Sequence, residues 1–201
     1  MISIVITGGI GSGKSLVCSY LEKMGYQVIY ADQISRFLTA VGGLAIPEIE
    51  AYFGADFICS DGSMDRARMR ELVYSNSSAK AKLESIVSYK TKEEINRKLE
   101  LAHDEEIVFV EIPLLYEMKS QDEYDFVWLV TADSETRIER ICSRDDFTRE
   151  EALRIMNSQM PNEEKIALAD ETIYNNSSAE DLYKKVEELL VKYHEKIKKY
   201  L

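Results

Sequence analysis

Gly8-Gly9-Ile10-Gly11-Ser12-Gly13-Lys14-Ser15 constrains what this chain can fold into more than any other stretch. It fits the pattern G-x-x-x-x-G-K-[ST], a phosphate-binding loop or P-loop. The flanks supply the context that the pattern requires. Ile2, Ile4, Val5 and Ile6 form a short apolar run rich in β-branched residues, which predicts a buried strand. On the other side Leu16, Val17, Tyr20, Leu21 and Met24 recur at helical spacing. Strand, glycine loop and helix therefore follow in that order. Glycines let the backbone turn tightly and approach a ligand without an intervening Cβ. The freed N–H groups and the positive end of the helix then face one anion. Lys14 adds a point charge for terminal phosphates, and the Ser15 hydroxyl is placed to ligate Mg²⁺. Nucleotide binding is the expectation.

The remaining composition narrows the partners. A length of 201 residues favours one domain, with room for an insertion and for a proper core. The formal net charge of -11 predicts a surface that repels nucleic acid and anionic membranes, so neither is expected as a partner. A phosphorylated substrate must then be held by local positive groups. Cys18, Cys59 and Cys142 are far apart and form no C-x-x-C pair, which predicts reduced thiols, no metal cluster and a cytoplasmic location. No secretory leader is evident, since the first residues run straight into the P-loop, and no apolar run approaches the length of a membrane span. A monomer or weak homo-oligomer is expected.

Along the chain, Gln27–Tyr30 reads as a second strand ending at Ala31-Asp32. Asp32 lies just past a strand end, the edge at which α/β folds bind ligands. There it can accept a proton from a substrate hydroxyl or act through Mg²⁺, or serve as an N-cap for the helix suggested by Ile34, Phe37 and Leu38. From Gln33 to about Ala102 only helical patterns recur, with Gly54 as a stop and Asp61-Gly62 as a turn. That block is large enough to be a substrate-binding insertion, and it carries Arg66, Arg68 and Arg70. Ile107–Ile112 is the third strand; Glu111 is a candidate to hold Mg²⁺ through water, and Glu117 beyond it either orients substrate or faces solvent. Phe126–Val130 is the fourth strand, with Trp128 in the core. Arg137, Arg140 and Arg144 then share one helical face, either as a salt-bridged surface or as a lid that brings guanidinium groups onto a transferring phosphoryl group. Thr148 and Glu151 have capping-box spacing, so the helix breaks at Asp145-Asp146-Phe147, restarts, and stops before Pro161. Glu171–Tyr174 is a fifth strand, followed by Asn175-Asn176, which either form a turn or read an adenine edge. A last helix begins near Ser178 with an apolar face of Leu182, Val186, Leu189, Leu190, Tyr193 and Ile197.

Several of these islands together resemble the dephospho-coenzyme A kinase family. They are Thr7 to Ser15, Ala31-Asp32, Asp61-Gly62 with Asp65-Arg66, Pro113-Leu114-Leu115-Tyr116-Glu117, Arg144-Asp145-Asp146 with Thr148-Arg149-Glu150, and Ala169-Asp170 with Ile173 and Asn175-Asn176. The resemblance implies an α/β P-loop NTPase three-layer fold. Its five-stranded parallel sheet would be flanked by helices, with a core of 1–32 and 105–201, a helical substrate-binding insertion of about 33–102 and a lid of about 140–150. It implies phosphoryl transfer from ATP·Mg²⁺ to the ribose 3′-hydroxyl of dephospho-coenzyme A. Carried over by position, Asp32 is the base, Gly11, Ser12, Gly13, Lys14, Ser15 and Leu16 hold ATP with Asn175 beside them, Ser15 (and Asp32) meet the metal, Arg66 and Glu117 face the acceptor, and Arg140 and Arg144 reach in from the lid. The chain departs from the family pattern at Tyr30, where an Asp is usual, at Ser88-Tyr89, where His-Pro is usual, at Arg137, where Gln is common, and at Leu16. Another small-metabolite or nucleotide kinase on the same scaffold, and a nucleotide-binding regulator without catalysis, are the alternative readings.

Overall fold

Strand β1 (Ile2–Thr7) is the axis of the sheet, and all but its first residue are buried. Its β-branched run suits a strand covered on both faces, as central parallel strands are. β1 pairs in parallel with β3 (Ile107–Glu111) on one side and β4 (Phe126–Thr131) on the other, with Ile4 opposite Phe109 and Phe126. β4 pairs in parallel with β5 (Glu171–Tyr174), and β2 (Gln27–Tyr30) completes the order β2-β3-β1-β4-β5. This is the five-stranded parallel sheet flanked by helices that the sequence predicts. The computed structural model describes residues 1–200, with the side chains of 199 and 200 left aside. Two compact units are present: Met1–Val28 with the chain from Glu105 onward, and Ile29–Asp104.

In the first unit, helix α1 (Lys14–Lys23) leaves the P-loop and buries Val17, Cys18 and Leu21. The final helix of the chain, α9 (Ala179–Tyr200), buries the full predicted stripe of Leu182, Val186, Leu189, Leu190, Tyr193 and Ile197. Trp128 is fully buried, its ring centroid 5.4 Å from that of Phe109 and 5.3 Å from that of Tyr193. Such aromatic pairs add about 0.5–1.5 kcal/mol each beyond area burial. Asp125 fixes the level of β1, its Oδ2 accepting the Ser3 N–H and hydroxyl, each at 2.8 Å. Three helices lie between β4 and β5: α6 (Ser134–Asp145), α7 (Arg149–Asn157) and α8 (Asn162–Leu168). α6 ends where Asp146 turns left-handed, with φ 55°. The Thr148–Glu151 capping box then starts α7, as the spacing predicts. α7 stops at Asn157, before Pro161 as expected, and the seven-residue α8, unread in the sequence, follows Pro161. Strand β3 likewise stops one residue short of Ile112.

The second unit is helical. It contains α2 (Ala31–Leu38), α3 (Ile46–Phe53), α4 (Arg66–Ser75) and α5 (Ser77–Leu101), around buried Ile34, Leu38, Ile49, Met69, Ile86 and Ile95. Asp65 caps α4 by accepting the Arg68 N–H at 3.0 Å, and Asn76 caps α5 by accepting the Ala79 N–H at 2.9 Å. Each satisfies a donor that a helix start otherwise leaves open. Among the described residues of 33–102 the extended structure is a single antiparallel bridge, Ile58 with Met64. No described helix is long and apolar enough to cross a membrane.

Candidate active site

Gly13 is the N-cap of α1 and sits at φ 97°, a region that favours glycine. A Cβ there would also fall 2.1 Å from Asn175 Nδ2, so shape and neighbour both demand glycine. No side chain caps this helix and no acid lies in its first turn. The positive end of its dipole is thus left uncompensated by any side chain and suits an anion, while the Leu16 and Val17 N–H groups donate to the Gly13 carbonyl at 3.0 and 3.4 Å. Ser15 and Leu16 are exposed in that turn. Ser12 is buried, and its Oγ has no hydrogen-bond partner among the described residues. The Lys14 ammonium donates to the carbonyls of Gly8 at 2.7 Å and Gly9 at 3.3 Å. Burial pushes its pKa down, while the Glu111 carboxylate at the buried end of β3 pulls the other way.

The loop is gripped from behind by residues distant in sequence. Asn175 donates from Nδ2 to the Ser12 carbonyl at 2.9 Å. Arg140 donates to the carbonyls of Gly11 at 3.4 Å and Asn175 at 3.0 Å. Arg137 donates from Nε to the Ile10 carbonyl at 2.9 Å, and Gln159 Oε1 accepts the Ile10 N–H at 3.1 Å. The structure thus brings Gly11, Ser12, Gly13, Lys14, Arg140 and Asn175 together. Arg144 is exposed and forms a two-pronged pair with Asp145, at 2.8 and 2.6 Å.

Glu117 neither faces water nor stands alone. Its Oε1 accepts the Lys165 ammonium at 2.7 Å and the Met160 N–H at 3.0 Å, and its Oε2 is buried without a partner among the described residues. Burial works against ionisation of Glu117, but the Lys165 bond and the backbone bonds outweigh it and hold the carboxyl below its ordinary value. In the helical unit, Asp32 is exposed within the first turn of α2. The N-cap position falls to Tyr30, so the capping alternative for Asp32 is corrected: it favours the helix dipole from inside the turn. Arg66 donates to the Thr39 hydroxyl at 2.6 Å and to the Arg36 carbonyl at 3.2 Å, which ties α4 to the end of α2. Ser88 and Tyr89 lie inside α5. Sequence reasoning missed Gln159 and Lys165. Neither belongs to a motif, and the one faint signal was their placement beside Pro161.

These residues fit a polyphosphate and its metal. Open helix N–H groups, an orphaned buried hydroxyl at Ser12 and an exposed hydroxyl at Ser15 converge where Lys14 supplies charge. A family model described as Dephospho-CoA kinase matches residues 2–181. A Burkholderia thailandensis protein named dephospho-CoA kinase is 40% identical over 195 residues, covering 96% of each chain. A solved Thermus thermophilus structure is similar with a TM-score of 0.81 at 32% identity, covering 95% of this chain and 97% of that one. The dephospho-CoA kinase from Campylobacter jejuni is similar with a TM-score of 0.73 at 26% identity, covering 95% of this chain and 96% of that one.

Proposed function

The chain belongs to the dephospho-CoA kinase family, and from that premise we propose how its residues transfer a phosphoryl group from ATP to the ribose 3′-hydroxyl of dephospho-coenzyme A. It is an enzyme of the last step of coenzyme A synthesis. The observation that carries the residue assignment is the open N-terminus of α1 with Lys14 beside it, built into a loop that four distant side chains hold in place.

Gly11 to Leu16 line the donor phosphates, with the Ser12 and Leu16 N–H groups already donating to the Gly9 and Gly13 carbonyls at 3.2 and 3.0 Å and the other N–H groups left to the anion. Lys14 moves its ammonium from the Gly8 and Gly9 carbonyls onto the terminal phosphates, which concentrates positive charge where the transition state is most anionic. The exposed Ser15 hydroxyl would hold Mg²⁺, which would supply charge neutralisation on the phosphates. Asp32 follows directly on a strand end and is exposed, as a base for an acceptor hydroxyl must be. Arg144 exchanges Asp145 for the transferring group, and Arg140 keeps its charge at the loop from its place on the Gly11 carbonyl. Arg66 orders the acceptor-binding helices through Thr39, and Glu117 supports the turn from Pro113 through Lys165. The reaction belongs in the cytoplasm, where the three free cysteines would remain thiols.

A coupled ADP-release assay with ATP·Mg²⁺ tests this against dephospho-coenzyme A, adenosine and several nucleoside monophosphates, with mass detection of product. A gain of one phosphate on dephospho-coenzyme A alone is expected. Asp32→Asn should keep ATP binding and lose at least about 100-fold in turnover. Near-normal turnover of that variant would remove Asp32 from the mechanism. Transfer to another acceptor would reassign the substrate.

A further inference from the structure

Arg137 is a cation where a packed interior would not choose one. It sits on α6, only 6% exposed. Its Nε holds the Ile10 carbonyl, and its Nη2 lies so close to Gly9 that a Cβ there would come within 2.3 Å of it. The backbone carbonyl of Arg137 presses on the next part of the loop, 2.8 Å from where a Cβ of Gly11 would stand. With Gln159 on the Ile10 N–H, both polar backbone groups of Ile10 are taken from behind. No carboxylate of the described residues pairs with this guanidinium, and burial alone draws its pKa down. Lys14 feels it as a like charge.

Two features therefore coincide: a desolvated positive charge lacking a counter-ion among the described residues, and direct contact with the loop at Gly9, Ile10 and Gly11, where the phosphate-binding stretch begins. A buried charge left uncompensated is costly. Hydrogen bonding one carbonyl would not require a charge at all. The cost falls when an anion occupies the loop, because Arg137 lies directly against the loop backbone at Gly9, Ile10 and Gly11. We propose that Arg137 is a positioning residue for the nucleotide: it fixes Gly9 to Gly11 in the phosphate-receiving shape, and its counter-charge is the bound polyphosphate. The inference rests on the kinase reading above but concerns the donor alone. It assigns to Arg137 a part in ATP affinity and none in acceptor choice or proton transfer.

Arg137→Met removes fork and charge at similar bulk, Arg137→Lys keeps the charge, and Arg137→Gln keeps a donor without charge. ATP binding is measured by titration calorimetry without acceptor, melting is followed with and without ATP, and KM for ATP is separated from kcat. Arg137→Met should weaken ATP binding about tenfold or more and raise KM for ATP in parallel, with kcat at saturating ATP changed less than about threefold. Arg137→Lys should recover part of that loss, and Arg137→Gln less than Arg137→Lys. ATP should raise the melting temperature of the Met variant by less than it raises that of the parent. ATP affinity within about twofold of the parent in the Met and Gln variants would overturn the proposal and leave Arg137 a packing residue, whatever their melting without ATP. A loss confined to kcat would overturn it too, by making Arg137 a catalytic residue instead. Should the Met variant fail to fold, the order of the Lys and Gln variants decides: Gln binding ATP as tightly as the parent refutes the role of charge. Since affinity is read without acceptor, failure of dephospho-coenzyme A as substrate would leave this test standing.

Discussion

Lys165 and Glu117 show what a single charge costs and how it is kept. Lys165 is 2% exposed, yet among the described residues its ammonium meets one carboxylate, that of Glu117, at 2.7 Å. The Lys165 ammonium is not tolerable there alone, because desolvation of an isolated charge exceeds what one neutral hydrogen bond returns, while the Glu117 side chain is 23% exposed with its Oε2 buried. Lys165→Met should destabilise the first unit by about 3 kcal/mol in urea unfolding, since the Glu117 carboxylate loses its ion pair and keeps its burial. Adding Glu117→Gln to that variant should restore much of the loss. A single variant within about 1 kcal/mol of the parent would show the pair to be incidental. Residues of this kind are also where the sequence is hardest to read. Lys165 and Arg137 are polar letters at buried positions, and their burial is caused by partners 48 and 127 residues away. A periodic pattern of apolar residues passes over both. Lys14, Ser15 and the loop glycines are legible because their chemistry depends on close neighbours in sequence.

Among elements, legibility follows length and caps. β1, α1 and α9 stand out because each couples a run or stripe to a clear boundary, and α7 is announced by Thr148 and Glu151 alone. α8 was silent because fewer than two turns leave no period to detect. Asn76, which caps α5, marks a boundary inside a block that the sequence shows only as helical. The start of α7 can be tested directly. Thr148 Oγ1 accepts the Glu151 N–H at 3.3 Å while Glu151 Oε2 accepts the Thr148 N–H at 2.8 Å. Thr148→Ala should destabilise α7 by about 1 kcal/mol, read as faster amide exchange in its first turn, with exchange in β1 and β4 unchanged. Equal exchange in parent and variant would mean that packing on α6 alone holds α7 in place. Ile138, Ile141 and Ala152 are the buried residues of that packing.

At the scale of the whole molecule, neutral buried acids set an upper pH limit on stability. Burial pushes the Cys18 thiol from its ordinary 9.0 up to about 12, and the Tyr116 and Tyr124 phenols from 10.0 up to about 12. Each is protonated in the folded chain at pH values where an unfolded chain would release the proton. Folding thus binds protons in that window, so stability is full below pH 9.0 and falls as pH rises towards about 12. The guanidinium midpoint should drop between pH 8 and pH 10.5 (about the span of the ordinary values), and Cys18→Ala should flatten the first part of the decline. A midpoint that does not move over this range would show that these groups titrate alike in both states.

The P-loop has a consequence for the order in which a ribosome delivers the chain. Residues 8–15 are made long before residues 137, 140, 159 and 175, whose side chains grip them. A nascent chain therefore carries the complete motif long before it carries the receptor. The grip on the loop is complete only once Asn175 has left the exit tunnel and reached the carbonyl of Ser12.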